Sequence, residues 1–151
     1  MISIIESILK NPNYNNEDLS DHNAAAGIIR NNQGELLMMD HNKFNFWTIP
    51  IGKCQPGQSA IDGLKQEMFE ELNIKVINAK LVGTFKTPYE RNGVTVNVKS
   101  HIFEITKYTG TIRNNEPHKH KAIEWLSLDK INTLDLSDNA KWVVNNQNKW
   151  L

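Results

Sequence analysis

Apolar residues recur along the chain at two different periods, and these periods separate predicted helices from predicted strands. A helical spacing at Ile2, Ile5, Ile8 and Leu9 predicts a short N-terminal helix, which a polar, Asn-rich linker follows as far as Asn23. Short apolar runs predict strands over residues 24–29, 35–39, 47–51, 75–87, 94–105 and 122–126. Residues 31–34 have turn chemistry, so the first two strands are predicted to form a β-hairpin.

Two further stretches have the pattern of capped helices. Ser59 is followed three residues later by Asp62, a variant of the capping box, and the helix that it opens is predicted to end near Asn73. The apolar stripe of this helix is Leu64, Met68 and Leu72. Ser137 begins a last helical pattern, whose residues predicted to face inward are Ala140, Val143, Val144 and Trp150. Helices and strands are mixed without strict alternation, which favours an α/β sandwich with a mixed β-sheet.

Length and charge limit the classes of protein to which the chain can belong. The 151 residues, 39% of them hydrophobic, fit one compact domain. Seventeen basic residues balance 17 acidic ones, which argues against a general binder of nucleic acids or membrane surfaces. No apolar run approaches the roughly 20 residues that span a bilayer, and no signal-peptide pattern begins the chain. We therefore expect a soluble, cytoplasmic protein.

The single cysteine, Cys54, restricts the chemistry of any metal site. One cysteine excludes an internal disulfide framework and a multi-cysteine zinc site. A metal would therefore need oxygen or His ligands. Cys54 also has no identified His partner, which argues against a thiol nucleophile.

Three glutamates on the central helix are the strongest candidates for chemistry. Glu67, Glu70 and Glu71 lie at i, i+3 and i+4, so they are predicted to project from one helix face, opposite the apolar stripe. Their mutual repulsion would be relieved by Mg²⁺, which prefers oxygen ligands and keeps several waters. The alternative is that they only solvate the outer face of a helix. The preceding loop, which contains Gly52 and Gly57, favours a functional site, because a tight turn before a capped helix presents backbone N–H groups to anions.

The stretch from Gly52 to Ile74 resembles the Nudix box, the loop-helix motif of Nudix hydrolases, and it keeps every spacing of that motif over 23 residues. Three residues depart from the usual pattern: Gln58 replaces a Glu, Gln66 replaces an Arg and Asn73 replaces a Gly. Asn readily adopts the left-handed conformation at a helix end. A neutral Gln, by contrast, cannot fully reproduce the charge-assisted bonds by which the family's Arg orients the glutamates.

This resemblance implies a Nudix-type α/β/α sandwich with a mixed β-sheet, built as a single domain over residues 1–151. Residues 1–23 would be the N-terminal helix and linker, and residues 52–74 would be the box. The resemblance also implies Mg²⁺, with Mn²⁺ able to substitute, held by Glu67, Glu70 and Glu71. Glu67 and Glu70 would be catalytic, with Glu67 binding a further metal or acting as base toward water. The candidates for substrate binding are Gly52, Lys53, Lys86, Tyr89, Arg91 and Glu116.

The pattern after the box bears on the substrate. Pro88 and Tyr89 resemble markers of ADP-ribose and diadenosine-polyphosphate hydrolases. They favour a nucleoside diphosphate linked to another group, as in ADP-ribose, dinucleoside polyphosphates or FAD, which would yield a nucleoside monophosphate and a phosphorylated fragment. Residues 116–125 instead resemble relatives that cleave nucleoside triphosphates, which is the first alternative. Phe44 and Phe46 are candidates for stacking a base, although aromatic residues are more often core.

A second alternative is a non-catalytic nucleotide-binding module, which the departures Gln58 and Gln66 favour. Retention of all three helix glutamates favours the enzyme, because a binder has less need of mutually repelling acids. The expected partner is a small nucleotide. Neither a membrane nor an extended nucleic acid is expected as a partner, and a homodimer is left open.

Overall fold

The computed structural model describes residues 20–151, which form seven strands and three α-helices. The strands are β1 His22–Ile28, β2 Leu36–His41, β3 Trp47–Thr48, β4 Ile51–Lys53, β5 Lys75–Arg91, β6 Val94–Thr109 and β7 His120–Leu126. The helices are α1 Ala60–Leu72, α2 Leu128–Ile131 and α3 Asp138–Asn145, and a 3-10 turn, Gln147–Lys149, follows them. The predicted N-terminal helix lies outside the described residues. The linker was predicted to reach Asn23, but its last two residues already belong to β1.

The strands divide between two sheets. The larger sheet has the order β4-β1-β6-β5, in which β1 runs parallel to β6 and the other pairs are antiparallel. The smaller sheet, β3-β2-β7, is antiparallel throughout. The larger sheet is therefore mixed, which confirms the predicted fold class.

Two apolar clusters cover opposite sides of the central strands. The cluster on the α1 side contains Ala25, Ile29, Leu37, Met39, Leu64, Met68 and Leu72. The cluster on the α3 side contains Ala26, Ile28, Leu36, Met38, Ile102, Val143 and Trp150. Successive strand residues point to opposite faces, so β1 and β2 contribute to both clusters. This double burial explains why both strands read as continuous apolar runs.

The predicted hairpin between the first two strands is present only as a turn closed by one antiparallel bridge, between Arg30 and Leu36. The Leu37 N–H donates to the Ile29 carbonyl at 3.0 Å across this bridge. Beyond it the strands separate, and β1 and β2 lie in different sheets. Each strand has two other neighbours, and those pairings place it in its sheet. The predicted strand over residues 47–51 is likewise divided: Pro50, which has no N–H for a ladder, separates β3 in one sheet from β4 in the other.

The long antiparallel pair β5 and β6 forms a hairpin, and both strands extend further than predicted. Its turn consists of Asn92 and Gly93, with φ values of 58° and 71°. Positive φ at both central residues is typical of a type I′ turn, whose twist matches that of the strands. Within residues 20–151, no helix is long and apolar enough to cross a membrane.

Helix α3 packs against this hairpin through Trp142, whose inward position was not predicted. A Cβ at Gly83 would overlap the Trp142 ring, so the glycine makes room for it. Phe85 stacks on the same ring with centroids 6.3 Å apart. Trp150 is buried as predicted, but it lies beyond the end of α3, and its indole N–H donates to the Val143 carbonyl at 2.9 Å.

Candidate active site

Helix α1 begins and ends as the sequence predicts. Ser59 is the N-cap, and its hydroxyl oxygen accepts from the Asp62 backbone N–H at 3.2 Å. Asn73 is the C-cap in the left-handed region, with φ 63° and ψ 29°, and its backbone N–H donates to the Phe69 carbonyl at 3.1 Å. The departure from Gly at this position therefore leaves the helix end intact.

The three glutamates of α1 differ widely in burial. Glu70 is exposed, Glu67 is half-buried, and Glu71 is only 4% exposed. The prediction that all three lie opposite the apolar stripe is therefore wrong for Glu71. At about 100° per residue, Glu71 lies roughly 60° from the centre of that stripe, Glu67 about 100° and Glu70 about 160°. The carboxyl groups thus form a gradient from core to solvent.

Glu67 owes its place to a glycine on the neighbouring strand. Gly52 in β4 pairs with Ala25 of β1, whose side chain packs on the α1 side. A Cβ at residue 52 would overlap the Glu67 side chain at Cγ, Cδ and Oε2. The first residue of the box is therefore a glycine because the Glu67 carboxyl group lies against that backbone.

Burial and mutual repulsion make the carboxyl groups of Glu67 and Glu71 hard to ionise. Burial is the largest cause of a rise in the pKa of Glu67 to about 7, to which the charges of Glu70 and Glu116 also contribute. Burial also raises the pKa of Glu71 to about 9, with Glu67 and Glu116 as the next causes. Glu71 Oε2 is buried without a hydrogen-bond partner among the described residues. A buried acid with an unpartnered oxygen is an expected feature of a cation site.

Glu116 joins this cluster together with Lys119, a cation that sequence reasoning missed. Lys119 Nζ lies 2.9 Å from Glu116 Oε2, and its charge lowers the pKa of both Glu67 and Glu71. The same acids raise the pKa of Lys119 itself, although burial opposes them. The signal available in the sequence was the i, i+3 spacing of an acid and a lysine in a polar loop.

The loop before β7 is attached to the last turn of α1. The Arg113 N–H donates to the Leu72 carbonyl at 3.1 Å and the Asn115 N–H donates to the Glu71 carbonyl at 3.0 Å. These carbonyl groups would otherwise lack partners at the helix end. The Glu116 N–H in turn donates to Asn114 Oδ1 at 3.1 Å. Backbone contacts thus hold Glu116 beside Glu71.

The two Gln departures from the box contact each other. Gln58 Nε2 donates to Gln66 Oε1 at 2.8 Å, and Gln66 Nε2 donates to Glu70 Oε1 at 2.9 Å. The Gln55 backbone N–H donates to Gln58 Oε1 at 2.9 Å. The chain of amides therefore begins at the backbone and ends on a predicted metal ligand.

The donor set fits a divalent cation of the magnesium type. Glu67, Glu70, Glu71 and Glu116 supply carboxylate oxygens, which hard cations prefer. Across residues 20–151, no three His, Cys, Asp or Glu side chains form a ready-made ligand group. Waters and substrate phosphates would therefore have to complete the coordination, as they commonly do for Mg²⁺.

An aromatic cluster lies next to the Glu116 loop. The His41 ring centroid is 4.8 Å from that of Phe44, 5.7 Å from that of Phe46 and 5.6 Å from that of His120. Phe44 is 57% exposed, whereas His120 is buried and burial lowers its pKa to about 4. Asn42 Nδ2 donates to the His118 carbonyl at 2.9 Å. The cluster is therefore mostly neutral at pH 7 and hydrogen-bonded to the loop.

The remaining predicted substrate-binding residues lie on β4 and β5. Lys53 is half-buried in β4, and Lys86 is exposed on β5. The Tyr89 O–H donates to Asp138 Oδ2 at 3.2 Å, and Arg91 is the last residue of β5. Gly52, the three helix glutamates and Glu116 come together in one cluster, whereas the roles of these other residues stay predictions.

Comparison with known proteins gives consistent matches. Residues 20–146 match the NUDIX domain. An 8-oxo-dGTP diphosphatase of Buchnera aphidicola is 22% identical over 126 residues, covering 82% of this chain and 90% of the relative. The crystal structure of a MutT NUDIX hydrolase from Burkholderia pseudomallei superposes with a TM-score of 0.71 at 20% identity, over 83% of this chain and 97% of that one. A C. elegans Ap4A hydrolase has a TM-score of 0.62 at 20% identity, over 84% and 95%. At this identity the structures show a shared fold.

Proposed function

The chain belongs to the Nudix family of hydrolases, and from that premise we propose that it is a Mg²⁺-dependent pyrophosphohydrolase of nucleoside triphosphates, which releases the monophosphate and pyrophosphate. The carboxylate cluster of Glu67, Glu70, Glu71 and Glu116 carries this proposal, because the raised pKa values of Glu67 and Glu71 and the unpartnered Glu71 Oε2 suit a cation. The triphosphate class, the alternative in the sequence pattern, is supported by the relatives named 8-oxo-dGTP diphosphatase and MutT.

The side chains divide the chemistry between them. Glu67, Glu70 and Glu71 would hold Mg²⁺, with Mn²⁺ able to replace it, and the bound ion would neutralise charge on the phosphate oxygens. Glu67, which lies against the Gly52 backbone, would either bind a further ion or take the proton of the attacking water. Water attacks the α- or β-phosphorus, the bond from that phosphorus to the oxygen between the two breaks, and the nucleoside monophosphate and pyrophosphate separate. Lys119, beside Glu116, is placed to meet phosphate charge.

The aromatic cluster supplies a surface for the base. Phe44 and Phe46, with centroids 5.3 Å apart, line a groove of about 510 Å³ together with Leu134, Leu136 and Lys141. This volume is in the range that holds small-molecule ligands. Asn42 Nδ2 donates to the Pro117 and His118 carbonyls, so the aromatic loop is hydrogen-bonded to the loop that contains Glu116.

The second candidate is hydrolysis of a nucleoside diphosphate linked to another group, such as ADP-ribose, a dinucleoside polyphosphate or FAD. Its support is the Pro88-Tyr89 pattern on β5, where the Tyr89 ring packs beside the buried residues Val96 and Val98. We also propose a cytoplasmic location. A homodimer stays open, and light scattering after gel filtration would decide it.

The test is a substrate panel with Mg²⁺ or Mn²⁺, in which the parent is compared with Glu70→Gln. The panel contains dGTP, 8-oxo-dGTP, ATP, ADP-ribose, diadenosine tetraphosphate and FAD, and chromatography identifies the products. We expect turnover of triphosphates and a loss of about 10²- to 10³-fold in Glu70→Gln. Glu124→Gln, the same change at an exposed position of β7, should keep the parent rate.

Three other outcomes of this experiment would contradict the proposal or its test. Faster turnover of ADP-ribose, the dinucleotide or FAD would replace the triphosphate proposal by the second candidate. Nucleotide binding without turnover of any substrate would overturn the hydrolase proposal in favour of a binding module. Equal loss in Glu70→Gln and Glu124→Gln would show that neither change reports on a specific site.

A further inference from the structure

The amide chain from Gln55 to Glu70 has a direction. The Gln55 N–H can only donate, so Gln58 must present its carbonyl oxygen to it and its NH₂ group to Gln66. Gln66 must then accept through Oε1, which leaves its own NH₂ group for Glu70. One backbone N–H thus determines the orientation of two side-chain amides, and the last of them offers a donor to a carboxylate.

We propose that Gln58 and Gln66 are positioning residues for Glu70, acting as a neutral, directional substitute for a charged network. The donor from Gln66 holds one oxygen of Glu70, so the other is oriented toward the cation and substrate. This inference rests on the proposed function, because positioning matters only if Glu70 is a ligand. This role explains why Gln58 and Gln66 both replace charged residues of the box. With Gln at both positions, every donor of the amide chain faces an acceptor.

Because the hydrogen bonds of this amide chain run in one direction, the effect of a substitution at position 58 depends on the residue at position 66, and the reverse also holds. In Gln58→Glu, the new carboxylate can only accept, so Gln66 must turn its NH₂ group toward residue 58 and its oxygen toward Glu70. Two acceptors then face each other, and Glu70 is displaced. In Gln66→Arg, the guanidinium can only donate, so it meets the NH₂ group of Gln58 unless that amide turns and abandons the Gln55 N–H. Each single change therefore breaks one contact of the chain.

The double variant Gln58→Glu/Gln66→Arg restores complementarity. Its carboxylate at position 58 would accept from both the Gln55 N–H and the guanidinium at position 66, and that guanidinium would also donate to Glu70. We therefore expect each single variant to lower Mn²⁺ affinity and kcat by about 10-fold or more, the usual effect of losing an outer-shell partner. The double variant should recover to within a few-fold of the parent, while KM changes little throughout.

The experiment measures Mn²⁺ binding by electron paramagnetic resonance and kcat and KM on the best panel substrate, for the parent, both single variants and the double variant. Thermal unfolding of each protein checks the fold. Gln33→Glu, the same change in the exposed turn before β2, is the matched control and should leave all values unchanged. Mn²⁺ binding requires no turnover, so the positioning role can be judged even if the proposed substrate class fails.

The decisive pattern is rescue. Two impaired singles, a recovered double and equal unfolding temperatures would establish the role. Unchanged Mn²⁺ affinity and kcat in Gln58→Glu would overturn it, as would a double variant no better than the worse single. If Mn²⁺ affinity and kcat fell only in variants whose unfolding temperature also fell, the two amides would act on the stability of the helix. That result would also overturn the positioning role.

Discussion

At the scale of single residues, the site places an acid where its charge is unfavourable. Glu71 is nearly fully buried, has an unpartnered oxygen and a pKa of about 9. Without a cation the folded protein retains the proton on this group at neutral pH. Buried groups of this kind lower the stability of the metal-free protein and are retained for function.

Glu71→Gln should therefore be more stable than the parent in metal-free buffer at high pH. The folded pKa of about 9 exceeds the unfolded value of 4.5, so the folded state binds the proton more tightly and stability falls as pH rises between these values. At pH 9 we expect a gain of about 1–3 kcal/mol, the cost of a buried unsatisfied group. Urea unfolding with EDTA at pH 4.5 and pH 9 measures it.

The gain should shrink toward pH 4.5, where the parent is protonated at this group in the folded state and half protonated in the unfolded state. Glu124→Gln serves as the exposed control and should show no such pH dependence. If Glu71→Gln were less stable than the parent at pH 9, the ionised carboxylate would have a favourable partner that outweighs its burial.

Gly52 offers a second test at this scale. Gly52→Ala should push the Glu67 side chain away, because the added Cβ overlaps it, and should lower kcat by about 10- to 100-fold. Gly52→Ala should cause no further loss of kcat in a Glu67→Ala background, because the side chain that the new Cβ displaces is absent there. Steady-state kinetics of the four proteins give the coupling, and additive losses would mean that Gly52 acts on something other than Glu67.

At the scale of elements, helix α1 was predictable because its signals are local. Its N-cap at Ser59, its stripe and its end at Asn73 all depend on residues within a turn of one another. The burial of Glu71 was not predictable with the same ease, since a three-residue stripe defines the centre of the buried face but not its width. The amide chain was missed because Gln58 and Gln66 contact each other across the loop-helix junction.

Asn73 gives a prediction at the end of this helix. Asn73→Ala should destabilise the protein by about 1–2 kcal/mol, since a φ of 63° is unfavourable for a residue with a Cβ and no local hydrogen bond. Asn73→Gly, the residue usual in the box, should stay within about 0.5 kcal/mol of the parent. Denaturant unfolding compares them, and equal destabilisation by Ala and Gly would assign the role to the Asn73 amide, which donates to the Thr111 carbonyl.

At the scale of the whole molecule, strand positions were predictable but strand partners were not. The apolar runs located β1 and β2, but the predicted hairpin between them is reduced to one antiparallel bridge, and the strands lie in different sheets. A strand that is buried on both faces gives the same continuous apolar pattern whichever sheet it joins. Of the candidate site, the box glutamates and Glu116 were predicted from sequence and lie together in the structure, while their roles stay predictions. Lys119 was missed because only the folded loop brings it to the helix carboxylates.

The charge balance of the whole site leads to a prediction for metal binding. Glu71 is protonated and Glu67 about half protonated at pH 7 in the metal-free protein, so cation binding must release protons. Mg²⁺ affinity should rise between pH 6 and pH 9. Calorimetry in buffers of different ionisation enthalpy would measure the released protons, and an affinity independent of pH over this range would contradict the assignment of these ligands.

The reactivity of the buried cysteine beneath α1 reports on movements of that helix. Cys54 is the one thiol in the chain, is 3% exposed and lies so close to Gly63 that a Cβ there would approach Sγ to 2.6 Å. Burial, reinforced by the charge of Glu67, raises its pKa, so an alkylating reagent reacts only after the helix separates from β4. Labelling rates therefore measure how often α1 separates from β4, and a ligand that bridges the α1 glutamates to the Glu116 loop should lower those rates.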